Sequence, residues 1–211
     1  MKMTPLTRSS YEFEVRAASD DSGTYISGRP IVYNSRTNIG PFDEVIERGA
    51  LDKSDLKDVR FLVNHDTSKI PLARSRNNNK NSTMQLSVDD KGMAIRVNLD
   101  IENNAEARSL YSAVQRGDIS GMSFMFGIDD EEWEGLESEH PTRHIRSIST
   151  VVEVSAVTFP AYKDTEINAR SKEALENARL TLENVRSQEP TLVDTNEIEL
   201  LKMKTKILGG M

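Results

Sequence analysis

Residues 119–126, with the sequence ISGMSFMF, join a predicted helix to an apolar strand. The two phenylalanines lie two positions apart, so they share one face of the strand and Ser123 points to the other face. The preceding helix, 103–116, has an apolar stripe, begins at one of two asparagines that can cap it and ends at Gly117. This stretch therefore predicts a small hydroxyl group held at the start of a buried strand.

Alternation of apolar and polar residues predicts strands elsewhere in the chain. The clearest case is a hairpin in which 84–88 and 93–101 alternate on either side of a turn at 89–92. Residues 150–158 form a nearly continuous apolar run, which is typical of a strand buried on both faces. Shorter strands are predicted at 11–17, 25–33, 61–63 and 144–148. The sequence thus favours an α+β fold dominated by β-strands.

The composition changes after Ala169, where helix-forming residues continue almost to the end of the chain. Apolar residues at helical spacing predict two helices, which Pro190 separates, and Asp194 with Glu197 forms a capping box for the second. We therefore expect a domain at 1–168 and a helical tail at 169–211. Two interpretations of the tail stay open: helices folded on the domain, or a docking and self-association segment.

The composition of the 211 residues is that of a folded chain, with 36% hydrophobic and 29% charged residues. No apolar run approaches the roughly 18 residues of a membrane span, and the first residues lack the apolar core of a signal peptide. There is no cysteine, which excludes thiolate and disulfide chemistry and fits a reducing compartment. No basic stripe of the kind that binds nucleic acid is present. The sequence therefore predicts neither a membrane nor a nucleic acid as a partner.

The net charge of −7 comes from one segment. Residues 129–139 contain seven acidic side chains and no basic one, which accounts for the whole excess of 34 acidic over 27 basic residues. Such a run is usually solvated, so we expect a surface loop here rather than a specific binding site.

Ser123 could act as a nucleophile if suitable partners lie beside it. A serine hydroxyl needs a base to accept its proton, and the base needs a group that orients it and stabilises its charge. His65, which follows a short apolar strand, is the candidate base. Glu153 is the candidate orienting group because it is the only charged residue between Arg146 and Lys163 and must be paired if it is buried. Spacing alone leaves structural roles open for all three residues.

The sequence also allows two other functions. One is a metal hydrolase site formed by His65, Asp66, His140 and His144. Pro141 lies between the last two histidines and excludes the helical histidine pair that such sites use, so we expect no metal or other cofactor. The second is a non-catalytic assembly protein, in which a β-rich domain carries a tail that organises a scaffold.

Several stretches occur in an order that resembles a known family. They are GRPIVYN at 28–34, FDE at 42–44 with GAL at 49–51, LVNHD at 62–66, GM at 92–93, GDISGMSF at 117–124, and VEVSAV at 152–157 with PAY at 160–162. Together they resemble the prohead, or procapsid maturation, serine proteases of tailed bacteriophages, which are distantly similar to the herpesvirus assemblins. Met125 and Ala73 depart from the family pattern, which usually has glycine at both places.

The resemblance implies a serine endopeptidase in which Ser123 is the nucleophile, His65 the base and Glu153 the third member of the triad. His144 is the alternative third member, because assemblins use a second histidine. The implied fold is a closed or nearly closed, mostly antiparallel β-barrel core with flanking helices. The implied substrates are the scaffolding segment of the major capsid protein, the scaffold and the protease itself, which would form a homo-oligomer. The implied location is the assembling procapsid in the host cytoplasm, and the tail would recruit the protease to that shell or be removed by self-cleavage.

Overall fold

A computed structural model describes residues 6–11, 15–21, 23–158 and 165–188 of the chain. Eleven strands and two helices lie in these ranges. The strands are β1 Leu6–Tyr11, β2 Arg16–Asp20, β3 Gly23–Val32, β4 Arg36–Asn38, β5 Asp43–Ile46, β6 Asp58–Val63, β7 Ala73–Arg76, β8 Met84–Asp89, β9 Gly92–Asn98, β10 Gly121–Glu134 and β11 Thr142–Val157. The helices are α1 Ala105–Arg116 and α2 Thr165–Gln188. The predicted β-dominated fold is therefore confirmed.

The strands of the described ranges form two sheets. The larger sheet has seven strands in the order β1-β10-β11-β5-β4, and β6 pairs with both β11 and β7. The smaller sheet is antiparallel, in the order β2-β3-β9-β8. The expected closed barrel is not found among the described residues. One reason is that β11 pairs in parallel with two different strands, with β5 near its start and with β6 near its end, so the larger sheet is mixed and branches at β11.

The main hydrophobic core combines side chains from both sheets and from α1. Fully buried members include Phe61 and Phe124 of the larger sheet and Met93 of the smaller one. Helix α1 contributes the predicted stripe, since Ala107, Leu110 and Val114 are all buried. The first residues of β10 thereby belong to the core, since Met122 and Phe124 are both buried.

The predicted ends of α1 are confirmed. Asn104 is the N-cap, and its side chain accepts hydrogen bonds from the backbone N–H groups of Glu106 and Ala107. Gly117 ends the helix in the left-handed conformation, with φ of 80°. The chain then needs only a few residues to reach β10, so the helix end determines where the strand that carries Ser123 begins.

The predicted hairpin at 84–101 is also confirmed, as β8 and β9. A Cβ added to Gly92 would lie 2.0 Å from the carbonyl oxygen of Ile31, and its φ is 126°. Only glycine fits such a close approach at that backbone conformation. This position therefore attaches the hairpin to β3 in one register.

The acidic segment is not the expected surface loop. Strand β10 continues through Glu134, so residues 130–134 of the segment pair with the first part of β11, which the sequence predicted as a shorter strand. Glu131 pairs with the buried Arg143, and Glu132 with Arg146. Two basic residues on β11 thus pair with acidic residues of the segment, and these pairs favour an extended hairpin where a solvated loop was predicted.

The chain divides into two units, Met1–Leu175 and Glu176–Met211. The first unit contains every strand named above and α1. Helix α2 confirms the first predicted helix of the tail, whereas the second predicted helix, with Pro190, Asp194 and Glu197, lies outside the described residues. Neither helix of the described ranges is long and apolar enough to span a membrane. The domain boundary after residue 168 stays a prediction.

Candidate active site

His65 is positioned by the end of strand β6. Because β6 runs parallel to β11, with Leu62 opposite Ser155, the chain leaves the sheet beside the end of β11. Asn64 fixes this exit: its backbone N–H donates to the Ala156 carbonyl at 2.9 Å, and its Oδ1 accepts from the Thr158 N–H at 2.9 Å. The turn therefore directs the imidazole back toward the sheet.

The turn that carries His65 has an unusual backbone. Asn64 and His65 both lie in the left-handed region, with φ of 52° and 58°. Asparagine and histidine are among the few non-glycine residues enriched in that region, and such strained residues concentrate at functional sites. The conformation persists here because the Asn64 hydrogen bonds and the tertiary packing hold it.

Ser123 is the third residue of β10, and its register determines where its hydroxyl points. It lies opposite Ser155 on β11 and opposite Ser10 on β1. Directly opposite residues share a face of a sheet, and so do residues two positions apart on one strand. The side chains of Ser123, Ser155 and Glu153 therefore project from the same face.

The structure brings the three predicted side chains together. The Nε2 atom of His65 lies 2.6 Å from Ser123 Oγ, and its Nδ1 atom lies 2.5 Å from Glu153 Oε1. Ser123 has no solvent exposure, and Glu153 and His65 are 1% and 9% exposed. The three side chains are thus almost wholly shielded from solvent.

Ser155 is a fourth polar member that the sequence analysis missed. Its Oγ donates to Glu153 Oε2 at 2.6 Å and accepts the His65 backbone N–H at 3.1 Å. Both oxygens of the buried Glu153 carboxylate thus have a partner, which removes much of the cost of burying its charge. The position two residues after Glu153 in VEVSAV was the available signal, because that spacing places both side chains on one face.

The charged residues that follow His65 are held by local contacts. Ser68 donates both its hydroxyl and its backbone N–H to Asp66, and these hydrogen bonds lower the pKa of that carboxyl. Lys69 donates to Glu106 at 2.9 Å, which raises the pKa of the Lys69 ammonium. Both side chains therefore stay charged near neutral pH.

The alternative third member, His144, lies elsewhere. It is nine residues before Glu153 on β11, which is roughly 25–30 Å along an extended strand. Its ring nitrogens face Glu47 and Glu134, each at 3.3 Å. The partner of His65 in this structure is Glu153.

The four residues of the metal alternative do not assemble. His140 pairs with Asp43 at 2.8 Å, and His144 lies between the two glutamates just described. Within the ranges that the structure describes, no group of three or more histidine, aspartate and glutamate side chains could hold a metal ion.

A hydroxyl, an imidazole and a carboxylate bonded in this order form the arrangement with which serine hydrolases carry out acyl transfer. The fold and the site thus fit a hydrolase of the nucleophilic serine class. The chain belongs to the Caudovirus prohead serine protease family, whose sequence model matches residues 11–179. Membership indicates a serine protease that acts on capsid or scaffold proteins in the maturing prohead. No curated protein and no solved structure matches the chain significantly.

Proposed function

We propose that this chain is a serine endopeptidase with Ser123 as the nucleophile, His65 as the base and Glu153 as the third member of the triad. The observation that carries the proposal is the continuous hydrogen-bonded series from Ser123 Oγ through both ring nitrogens of His65 to Glu153 Oε1. Family membership supports it independently, because that match rests on sequence alone.

The proposed reaction is acyl transfer in two halves. Ser123 Oγ forms a bond to the scissile carbonyl carbon while His65 Nε2 takes the hydroxyl proton. The tetrahedral intermediate collapses, the C–N bond breaks, and Nε2 gives that proton to the leaving amine. Water then attacks the acyl-enzyme and transfers a proton to Nε2, which returns it to Ser123 Oγ as the acid product leaves.

Glu153 acts by orienting and stabilising the histidine. Its Oε1 accepts from the Nδ1–H of His65, which leaves Nε2 free to receive the serine proton in the resting tautomer. When Nε2 becomes protonated, the negative carboxylate stabilises the imidazolium at a contact of 2.5 Å. Because both side chains are almost wholly buried, little water competes for this contact.

Ser155 acts as a positioning residue in this proposal. It holds Glu153 Oε2, so that Oε1 remains aimed at the imidazole, and it accepts the backbone N–H of His65. One hydroxyl thereby connects the base and the third member of the triad.

The proposed substrates are the scaffolding segment of the major capsid protein, the scaffold and the protease itself, cleaved inside the assembling procapsid in the host cytoplasm. The domain at 1–168 would carry the protease activity, and the chain would act as a homo-oligomer. The tail at 169–211 would recruit it to the shell or be trimmed by self-cleavage. Family membership supports capsid and scaffold proteins as substrates.

The test is mass spectrometry of the purified wild-type chain and of Ser123→Ala, each alone and with the capsid protein of the same phage during shell assembly. We expect shortened termini and a cleaved capsid protein with the wild type, and intact chains with the variant. Ser87→Ala changes the same atoms at an exposed position of β8 and should behave as wild type. Identical products from wild type and Ser123→Ala would overturn the proposal and favour a non-catalytic assembly protein.

A further inference from the structure

A groove borders the turn that carries His65. Its volume is about 490 Å³, within the range of cavities that bind ligands. Asn64 and Asp66, the two chain neighbours of His65, line one wall. Ile119, four residues before Ser123, also lines the groove, and helix α1 forms the other wall. The groove thus lies beside the turn that carries the candidate base.

Small side chains on α1 keep the groove open. Ala105, Ser109 and Ala113 line it at intervals of four residues, which places them in one row along the helix. The facing wall contributes the apolar side chains of Leu62 and Leu72. A bound group would therefore contact mainly apolar side chains. The small residues on the helix leave the space for it.

The charged residues of the groove already have partners. Lys69 and Glu106 form an ion pair between the loop and the helix, and each side chain is about half exposed, so the pair lies at the solvent side. Asp66 accepts two hydrogen bonds from Ser68. An additional charge on the occupant would have to compete with these pairs, whereas an apolar side chain would not.

One large apolar side chain at the groove is unusually exposed. Ile70 lines the groove and is 85% exposed, the highest value among the large hydrophobic residues of the described ranges. Burial of such a side chain against an apolar partner is favourable. Ile70 therefore adds apolar surface at the groove that an apolar occupant would bury.

We propose that this groove is a specificity site that binds a large aliphatic or aromatic side chain of the peptide substrate, close to the bond that Ser123 attacks. This inference rests on the proposed function and adds the substrate class. The peptide is the occupant because Asn64 and Asp66, on either side of His65 in the chain, line the groove and so place it beside the candidate base.

The test compares cleavage of a positional-scanning peptide mixture by wild type, Ser109→Leu and Gln115→Leu, with cut bonds identified by mass spectrometry. We expect the wild type to prefer a large apolar residue over alanine at one position by about tenfold or more in kcat/KM. Ser109→Leu fills the groove and should remove most of that preference. Gln115→Leu adds the same side chain at an exposed position of α1 outside the groove and should keep the preference.

The outcomes separate this inference from the proposed function. Cleavage that depends on Ser123 but shows no apolar preference, or a preference that Ser109→Leu leaves unchanged, overturns the groove assignment alone. If the wild type cleaves no free peptide, binding decides the groove, and the capsid-protein experiment decides the proposed function separately. In that case a leucine-containing peptide is added to Ser123→Ala, and methyl NMR signals of Ile70 and Leu110 are followed. Shifts that Ser109→Leu abolishes support the groove, and unchanged signals overturn it.

Discussion

The two ends of the β10–β11 hairpin each hold a histidine beside a glutamate, in opposite surroundings. At the buried end, His65 and Glu153 are 2.5 Å apart, and their side chains are 6% and 2% exposed. At the distal end, His144 and Glu134 are 3.3 Å apart, and their side chains are 24% and 71% exposed. The residue types are the same, so the difference lies in the amount of water around each pair.

Burial changes what such a pair can do. Near the surface, water screens the charges, and an ion pair contributes about 0–1 kcal/mol. In the buried pair every polar atom must have a protein partner, and Ser155 supplies the one that Glu153 would otherwise lack. At one end of the hairpin, a buried carboxylate thus has a hydrogen-bond partner for each of its oxygens. At the other end, the charged side chains are exposed to solvent.

The largest expected contrast is between the two histidines. His65→Gln should lower kcat by about 10⁶-fold, because the proposed reaction loses its base. His144→Gln should change kcat by less than about threefold, since surface substitutions away from the site have small effects. A peptide-cleavage assay on both variants measures this, and comparable losses would contradict the assignment of the base.

The second contrast is between the two glutamates. Glu153→Gln should reduce kcat by about 10⁴-fold, because an amide can neither fix the productive tautomer nor stabilise the imidazolium. Glu134→Gln should leave kcat within about threefold of wild type. The same assay applies, with circular dichroism to establish that both variants are folded. A large loss in His144→Gln together with an active Glu153→Gln would instead support His144 as the third member.

A smaller effect is expected at Ser155, which acts only through its neighbours. Ser155→Ala should lower kcat by about 10- to 100-fold with little change in KM, since hydrogen bonds to charged groups contribute about 1.5–3 kcal/mol. Ser155→Thr keeps the hydroxyl and should recover part of the loss.

The positioning role of Ser155 has its own signature. The Nδ1–H proton of His65 should give a strongly downfield NMR signal in the wild type, and Ser155→Ala should shift or broaden it. An unchanged signal with a reduced rate would indicate that Ser155 acts only on packing.

The smallest effect is expected at the distal end. Glu132→Gln removes an ion pair with Arg146. The Glu132 side chain is 55% exposed and the Arg146 side chain 46%. The free energy of unfolding should fall by less than about 1 kcal/mol, and added salt should reduce the difference. Urea denaturation at low and high salt measures this. A loss of several kcal/mol would show that the two ends are more alike than their exposures indicate.

Local patterns in the sequence were sufficient for most individual elements. Helix α1 has its cap at Asn104 and its stop at Gly117 because both signals act within a few residues. The hairpin of β8 and β9 follows from alternation and a tight turn. The placement of Ser123 away from the phenylalanine face is a consequence of strand geometry, and Phe124 and Phe126 do pack together, with ring centroids 4.8 Å apart.

Features that depend on distant pairing were not predictable in this way. The barrel was expected by analogy, whereas the described strands form two sheets, and the larger sheet is mixed because β11 pairs in parallel with both β5 and β6. The acidic segment was predicted as a loop because its own composition is polar. Arg143 and Arg146, which stabilise it as a strand, come from the facing part of β11.

By itself the sequence determined the residue types available for chemistry, the local elements that carry them and the family. Only the tertiary structure decided that Ser123, His65 and Glu153 meet, that Ser155 joins them and that His144 does not. The physical reason is the separation along the chain of the residues that interact. Capping and alternation act between neighbours along the chain, whereas the convergence of these side chains depends on the register of β10 and β6 against β11 and on the left-handed turn that returns His65 to the sheet.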